Sequence, residues 1–460
     1  GLHTGSFDWA RGVLENFFRF DQRPDGPRYR GPSMISNAQH LSEFALYYSY
    51  TGDPTNILGR YHDAVLALVN QMRASRAKAL RLPRSDPAYG MPTGNTVDDL
   101  YGTSVECGTT FPDGRGGPGG DCETRLPAFD IAFKMIAGFR DLGDAWRAMD
   151  IAGPKSGQKL PTNLTAEANA LIAEAEALQN DTLTAFYRGT VLTENRTVNG
   201  RNVSCHPCHA GWISCNPRGD VTGRHYNRPS ADVMCGAMQV SNEAYAALPA
   251  TCFQEIFDYQ EQGGNWDDVE YNLVIDNPPV ALATFFVTAS RIMTRGTWTG
   301  AEIGGSGTQP GTGVSTVTSS NWATGLTHLF VFDQAERYTY PFVRTLWLGK
   351  AIPRAWLIPG ETVGIDGAPT RYGGRLSMSI TATVADQYKV NITLPSPFTW
   401  PEGGIKRRIR SPGFTAGRRI TGAMVGAKPY SRFNSTEETL SFPPNSVAPV
   451  TLQDIEIVLN

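Results

Sequence analysis

The chain reads as an α+β multidomain protein, a domain of helical hairpins followed by an antiparallel β-sandwich. Three observations predict it. Apolar residues recur with a helical period through the first two-thirds of the sequence, the period changes to two in the last third, and a Gly/Ser/Thr-rich run over residues 300–325 separates the two regimes. A length of 460 residues exceeds what one hydrophobic core usually holds, so each regime has enough chain to bury a core of its own.

The helices come in order. Residues 7–20 and 39–50 form the first two, the second ended by the turn Thr51-Gly52-Asp53-Pro54. Tyr61, Val65, Leu68, Val69 and Met72 follow i, i+4, i+7, i+8 and i+11. They predict an amphipathic helix with its Arg and Lys residues gathered at the C-terminal end, where the helix dipole favours them. Residues 83–127, rich in Gly, Pro, Asp and Thr, make a long irregular insert of the kind that serves as a binding loop, with Cys107 and Cys122 flanking its Gly-rich middle. The pattern resumes over 129–142 and again over 164–187, a longer helix for which Thr165 is the expected cap, with Glu167 in its first turn. A second irregular insert spans 188–229. Segments 231–248, 253–260, the stretch around Trp266 and the apolar run 280–293 complete the series.

The Trp266 stretch carries the most pointed pattern. Trp266, Val269 and Leu273 share one helical face while Asp267 and Glu270 share a neighbouring one, which sets acidic groups at the edge of a core. The run after it, with Val280, Leu282, Phe285, Phe286, Val287 and Ile292, is apolar nearly all round, as expected of a helix enclosed by others.

Alternation then takes over. Leu376, Met378, Ile380, Ala382 and Val384 alternate with polar residues, as do Tyr388, Val390, Ile392 and Leu394, and segments 405–410, 420–425, 438–442 and 455–459 add four more strands. The expected domains are therefore 1–299 for the helical hairpins, 300–345 for a connecting region and 346–460 for the sandwich.

Composition narrows the function classes. Hydrophobic content of 40% and charged content of 18% exclude disorder as the dominant state. A net charge of −3, from 41 basic and 44 acidic residues, gives no global drive toward nucleic acid or an anionic membrane. The longest apolar run is far short of the roughly 20 residues that a membrane-spanning helix needs. Asn163, Asn180, Asn195, Asn202, Asn391 and Asn434 begin Asn-x-Ser/Thr acceptor sites. Cys107, Cys122, Cys205, Cys208, Cys215, Cys235 and Cys252 fit an oxidising compartment, with two or three disulfides and one thiol over. These features predict a secreted, extracellular or luminal glycoprotein. Because the sequence starts at Gly1, without an initiator Met or a signal peptide, it is either a processed form or a piece of something longer.

The inserts concentrate reactive groups. A glycosidase of the ordinary kind needs two carboxyls across a cleft, one protonated as acid and one ionised as base or nucleophile. Asp98, Asp99 and Glu106 in the first insert and Asp267 and Glu270 on the Trp266 helix are the candidates, each also readable as a solvated surface carboxylate. Tyr101, Trp212, His225, Tyr226, Trp266 and Trp322 are candidates for holding sugar, although a buried Trp is also an ordinary core residue. Cys205-His206-Pro207-Cys208-His209 matches the Cys-x-x-Cys-His of c-type haem attachment, with Cys215 and His225 nearby. A second Cys-x-x-Cys at zinc spacing is missing, so disulfides and no cofactor are expected, with zinc or haem at Cys205, Cys208 and His209 as the alternative. Lys406, Arg407, Arg408, Arg410, Arg418 and Arg419 make a basic patch. Lys406, Arg408 and Arg410 share one strand face, expected either as a solvated outer sheet face or as a surface for acidic sugars or a protein partner.

Helical hairpins followed by a sandwich are similar to the six-hairpin carbohydrate-active enzymes. Trp266-Asp267-Asp268-Val269-Glu270-Tyr271-Asn272 resembles the helix that follows the active site in the β-L-arabinofuranosidase family. Ala368-Pro369-Thr370-Arg371-Tyr372-Gly373, Lys406-Arg407-Arg408-Ile409-Arg410-Ser411-Pro412, and Val425-Gly426-Ala427-Lys428 with Phe433 resemble that group's C-terminal sandwich. The resemblance implies an (α/α)6-type helical toroid followed by a β-sandwich, and a glycoside hydrolase acting on a polysaccharide or glycoprotein glycan in the toroid cleft. It also exposes departures. In the family a Glu and three cysteines hold zinc, one cysteine being the nucleophile, and two of them are adjacent in the loop before the sandwich. Here that loop reads Gly311-Thr312-Gly313-Val314-Ser315-Thr316-Val317, and Val233 of Asp232-Val233-Met234-Cys235 stands where the Glu would be. A thiolate needs its metal or a cationic neighbour to act as a nucleophile at neutral pH. The resemblance thus implies the fold without that chemistry. It leaves open a carboxylate hydrolase or a catalytically inactive structural or glycan-binding relative.

Overall fold

Strict alternation over residues 375–393 can bury one face of a strand pair and solvate the other, and the chain folds accordingly. The computed structural model describes residues 2–23, 26–27, 34–86, 89–92, 129–153, 160–190, 194–198, 201–205, 273, 276, 278–287, 300–301, 314–333, 343–384, 387–444 and 451–459. They fall into two compact units. One comprises Gly1–Ser6, Phe257–Arg337 and Phe342–Asn460, the other Phe7–Ile256 and Tyr338–Pro341.

The helical unit contains α1 (Phe7–Asn16), which runs on into a π turn at Phe17–Asp21, the short pair β1 (Gln22–Arg23) and β2 (Gly26–Pro27), α2 (Met34–Thr51), α3 (His62–Ala79), α4 (Phe129–Ala152) and α5 (Leu164–Thr190). The predicted turn after α2 is organised by Asp53, whose carboxylate accepts from the Thr55 amide at 2.9 Å, the Thr55 hydroxyl at 2.8 Å and the Asn56 amide at 3.2 Å. These bonds replace the helical ladder and fold α3 back on α2, with Asn37 near the start of α2 donating to Gln71 in the second half of α3 at 3.3 Å. Val65, Leu68, Val69 and Met72 are all buried, as their spacing requires.

A second hairpin repeats the device. Arg147 of α4 donates to Asn169 of α5 at 2.8 Å, and Thr165 donates to Asp150 at the end of α4. Thr165 is therefore not the cap: α5 begins at Leu164, after Asn163 in the left-handed region at φ 65°. Cross-helix partners rise together, His62 with Glu167, Arg73 with Glu174 and Arg76 with Asp181, so α3 and α5 run parallel. The second insert is less irregular than expected. It holds the antiparallel hairpin β3 (Glu194–Val198) and β4 (Arg201–Cys205), joined through Asn199-Gly200, a dipeptide suited to two-residue hairpin turns.

The other unit holds α6 (Pro278–Val287), the pair β5 (Gly300–Ala301) and β6 (Val314–Ser315), and α7 (Thr316–Phe330). Eleven strands follow: β7 (Val331–Phe332), β8 (Leu346–Leu348), β9 (Thr362–Pro369), β10 (Arg375–Val384), β11 (Gln387–Thr393), β12 (Ile405–Arg408), β13 (Ile420–Val425), β14 (Lys428–Pro429), β15 (Phe433–Asn434), β16 (Thr439–Phe442) and β17 (Thr451–Leu459). A six-stranded antiparallel sheet has the order β14-β13-β17-β11-β10-β9, and a five-stranded sheet the order β15-β16-β12-β8-β7 with one parallel pair, β12 with β8. Leu376, Met378, Ile380, Val390, Ile392, Ile455 and Ile457 from the first and Leu346, Leu348, Ile405, Leu440 and Phe442 from the second are buried, the inner faces of a sandwich.

Two expectations change. Among the described residues, Leu273, Asp276 and α6, assigned to the helical domain, group with the strands, and the supposed connecting region, residues 300–345, includes β5, β6, α7 and β7. Nor is α6 enclosed on all sides: Phe285 is buried and stacks on Trp322 at 5.0 Å, while Pro279 and Ala283 are exposed and Phe286 is 46% exposed. Stacking on one neighbour consumes only one face of the helix.

Candidate functional site

The register of the five-stranded sheet builds a site across it. Phe332 pairs with Trp347 and Trp347 with Lys406, so these three side chains stand in one row on one face. Arg408, two residues on, shares that face. Gly349, at φ 65°, turns the chain at the end of β8, and Lys350 follows it; a Cβ at 349 would lie 1.7 Å from Arg407 Nη1, so both the conformation and the space require glycine. Asp276 comes from the segment between the Trp266 stretch and α6. Its backbone is also left-handed, φ 58°, and its amide donates to the Leu273 carbonyl at 3.3 Å.

These side chains meet. Arg408 Nη1 donates to Asp276 Oδ1 at 2.6 Å and Nη2 to Oδ2 at 2.8 Å, the two-pronged match of guanidinium and carboxylate. Lys350 Nζ lies 3.9 Å from Asp276 Oδ1, 4.5 Å from the centre of the Trp347 ring and 5.1 Å from that of Phe332. Lys406 Nζ and Arg408 Cζ lie 4.9 and 5.1 Å from Trp347. Partial burial opposes ionisation of Asp276, but the Arg408 hydrogen bonds and the charges of Lys350 and Lys406 outweigh it and hold the carboxyl below its ordinary range. Lys350, with 3% of its side chain exposed, is driven the other way. Burial, reinforced by Arg408 and Lys406 and opposed by Asp276, lowers it to about 7. An amine in that condition can give up or accept a proton near neutrality, and Asp276 stays ionised beside it.

This arrangement overturns the expectation of an exposed basic face. Arg407 is fully buried and Arg408 and Arg410 are each 6% exposed. The reason is topological: β12 lies inside its sheet, Arg407 points into the sandwich toward Met378, and Asp276 and Trp347 cover the side that Arg408 occupies. Lys406 remains half-exposed, and Arg418 and Arg419 are exposed, Arg419 lying over the Phe414 ring at 4.1 Å. A second ion pair joins Arg354 to Glu438, just before β16, at 2.6 Å; Arg354 also donates to the carbonyl of Ser411, whose hydroxyl meets Tyr388 at 2.6 Å.

Of the residues singled out for catalysis and sugar contact, Asp98, Asp99, Tyr101, Glu106, Trp212, His225, Tyr226, Trp266, Asp267 and Glu270 lie outside the described residues. So do Cys107, Cys122, Cys208, His209, Cys215, Cys235 and Cys252, while Cys205 ends β4. Among the described residues no group of three or more His, Cys, Asp or Glu side chains is placed to hold a metal, and no helix is long and apolar enough to cross a membrane. No protein-family model matches the chain, and no curated protein matches it. Trp322 is half-buried on α7 against Phe285. Among the glycan acceptors, Asn163 precedes α5, Asn180 is exposed on it, Asn195 and Asn202 lie on the hairpin, and Asn391 is half-buried in β11. Asn434 is exposed, and its side-chain oxygen accepts from the amides of Thr436 and Glu437 at 2.9 and 3.0 Å.

Asp276, Trp347 and Lys350 were not singled out from the sequence. The available signal was a lysine directly after the apolar Leu346-Trp347-Leu348-Gly349, a place where a solvated amine is not expected.

Proposed function

We propose that this chain is a secreted carbohydrate-active protein, a glycoside hydrolase-like enzyme with an (α/α)6-type helical toroid followed by a β-sandwich, holding a polysaccharide or glycoprotein glycan in the toroid cleft. One observation carries the reading. The hairpins α2–α3 and α4–α5 stand side by side with α3 parallel to α5, the repeat from which a ring of helical hairpins is built, and a two-sheet sandwich lies in the same chain. The local likeness of the Trp266 stretch and of the sandwich strands to the β-L-arabinofuranosidase family supports it. In this reading Asp98, Asp99, Glu106, Asp267 and Glu270 supply the acid and the base, and Tyr101, Trp212, His225, Tyr226, Trp266 and Trp322 hold sugar.

A second reading makes the chain a non-catalytic glycan-binding or structural glycoprotein, because fold and activity separate readily. The specific observation is the loop at 311–317, where cysteines are absent and Val314–Ser315 forms β6. Incubation with a panel of polysaccharides, with chromatography of released sugars, separates the two. An enzyme releases sugar from at least one substrate and loses that release in Asp98→Asn or Glu270→Gln, whereas a binding protein releases none.

A further inference from the structure

The charges around Trp347 do not balance. Lys350, Lys406 and Arg408 surround its ring within 5.1 Å, and among the described residues Asp276 is the carboxylate that faces them. Arg408 engages both oxygens of that carboxylate and Lys350 stands 3.9 Å from one of them. Lys406 makes no ion pair or hydrogen bond among the described residues. It is also the half-exposed cation of the three, next to an Asp276 side chain that is 46% exposed, while Arg408 and Lys350 form a buried floor. The cluster thus opens to solvent where its uncompensated charge sits, and cations held against a low-dielectric wall draw anions to them.

We infer that Lys406, backed by Arg408 and Lys350 around Trp347, receives the carboxylate of a uronic-acid residue, so that the glycan this chain binds is an acidic one. The choice of a sugar acid rests on the carbohydrate reading above; the chemistry shown by the cluster is recognition of a singly charged anion. Asp276 sets that selectivity. It fills the fork of Arg408, leaving the Lys406 ammonium for the incoming carboxylate, and its own negative charge repels a dianion such as phosphate more strongly than a monoanion. Trp347 keeps the cations apart and supplies the apolar wall.

Calorimetric titration of the full chain with trigalacturonate and triglucuronate, with their neutral methyl esters, and with inorganic phosphate tests this. A free acid is expected to bind, and methyl esterification or Lys406→Ala to weaken binding about tenfold or more, the loss of one charge-assisted hydrogen bond. Lys406→Arg is expected to retain most of the affinity. Lys406 is half-exposed, so Lys406→Gln gives a second truncation, and an unchanged melting temperature shows that either variant is folded. Equal binding of acid and ester, wild-type affinity in Lys406→Ala, preference for phosphate, or no binding of either acid overturns the inference. If neutral polysaccharides are bound or cleaved while the acids are not, this inference falls and the carbohydrate reading stands. If no glycan is bound at all, both fall.

Discussion

Arg408 and Asp276, 132 positions apart, meet through two parallel hydrogen bonds of 2.6 and 2.8 Å, and their partnership is asymmetric: Arg408 is buried whereas Asp276 is nearly half-exposed. Removing the carboxylate strands a buried guanidinium, while removing the guanidinium leaves a carboxylate that water can reach. Asp276→Ala is expected to destabilise the strand-rich unit by about 3 kcal/mol. Arg408→Met, which keeps the stem packed on Trp347, should cost only about 1 kcal/mol. Chemical denaturation of both variants checks this, and equal losses would contradict the asymmetry.

Lys350 gives a signed pH dependence. Its folded-state value is lowered to about 7 by burial, with Arg408 and Lys406 adding to the shift and Asp276 opposing it. The unfolded chain keeps the amine protonated up to about pH 10. Between these values the unfolded state binds more protons, so this group's contribution to stability rises with pH across that window and is least favourable below about 7. Lys350→Met is expected to gain most over wild type at about pH 6 and progressively less toward about pH 9. Melting temperatures at a series of pH values would show a flat difference if the lysine were not buried as described.

Arg407 is a charge inside the sandwich with two nitrogens, Nε and Nη2, lacking hydrogen-bond partners among the described residues, and its Nη1 lies 3.9 Å from the Met378 sulfur. Burial pulls its guanidinium down to about 9, so it stays charged at neutral pH. Replacing such a group with an apolar side chain is often neutral or stabilising by about 1–4 kcal/mol, and Arg407→Leu is expected to fall in that range. Gly349→Ala should destabilise by about 2 kcal/mol or more in wild type, through its positive φ and its clash with Arg407, and by less in the Arg407→Leu background. Denaturation of the single and double variants measures the coupling; strict additivity would contradict the contact.

In the helical unit, Arg76 and Arg73 separate burial from mere proximity. Arg76 is buried and donates to the Glu174 carbonyl at 3.1 Å and to Asp181 at 2.7 Å, whereas Arg73 and Glu174 meet at 2.6 Å with each side chain about 30% exposed. Asp181→Ala is expected to cost about 2–3 kcal/mol and Arg73→Ala about 0.5–1 kcal/mol. The same denaturation experiment ranks them, and a reversed order would refute the parallel α3–α5 packing as the source of stability.

Much of the fold was legible because burial on one face leaves a period. Val65 to Met72 announced α3, and Leu376 to Val384 announced β10, within a residue of its observed ends. What escaped lacks a period. Strands β7 and β8 are two and three residues long and buried throughout, so nothing alternates in them, and β9 offers only Val363 and Ile365 before a register shift and Gly367 interrupt its alternation. The basic strand misled for a related reason. Charge suggested an outer face, but one side of β12 turns Arg407 into the sandwich, and on the other Trp347 and Asp276 cover Arg408 and supply what it needs. No local pattern could bring Asp276, Lys350 and Arg408 together, since their meeting depends on sheet order and on two left-handed turns, at Asp276 and Gly349.

The most direct test of the central claim, that this chain acts on glycans, is a binding measurement of the full protein against an array of neutral and acidic oligosaccharides. Saturable binding to at least one glycan, strongest among those bearing a carboxylate, is the predicted result; a flat response across the whole array would contradict it.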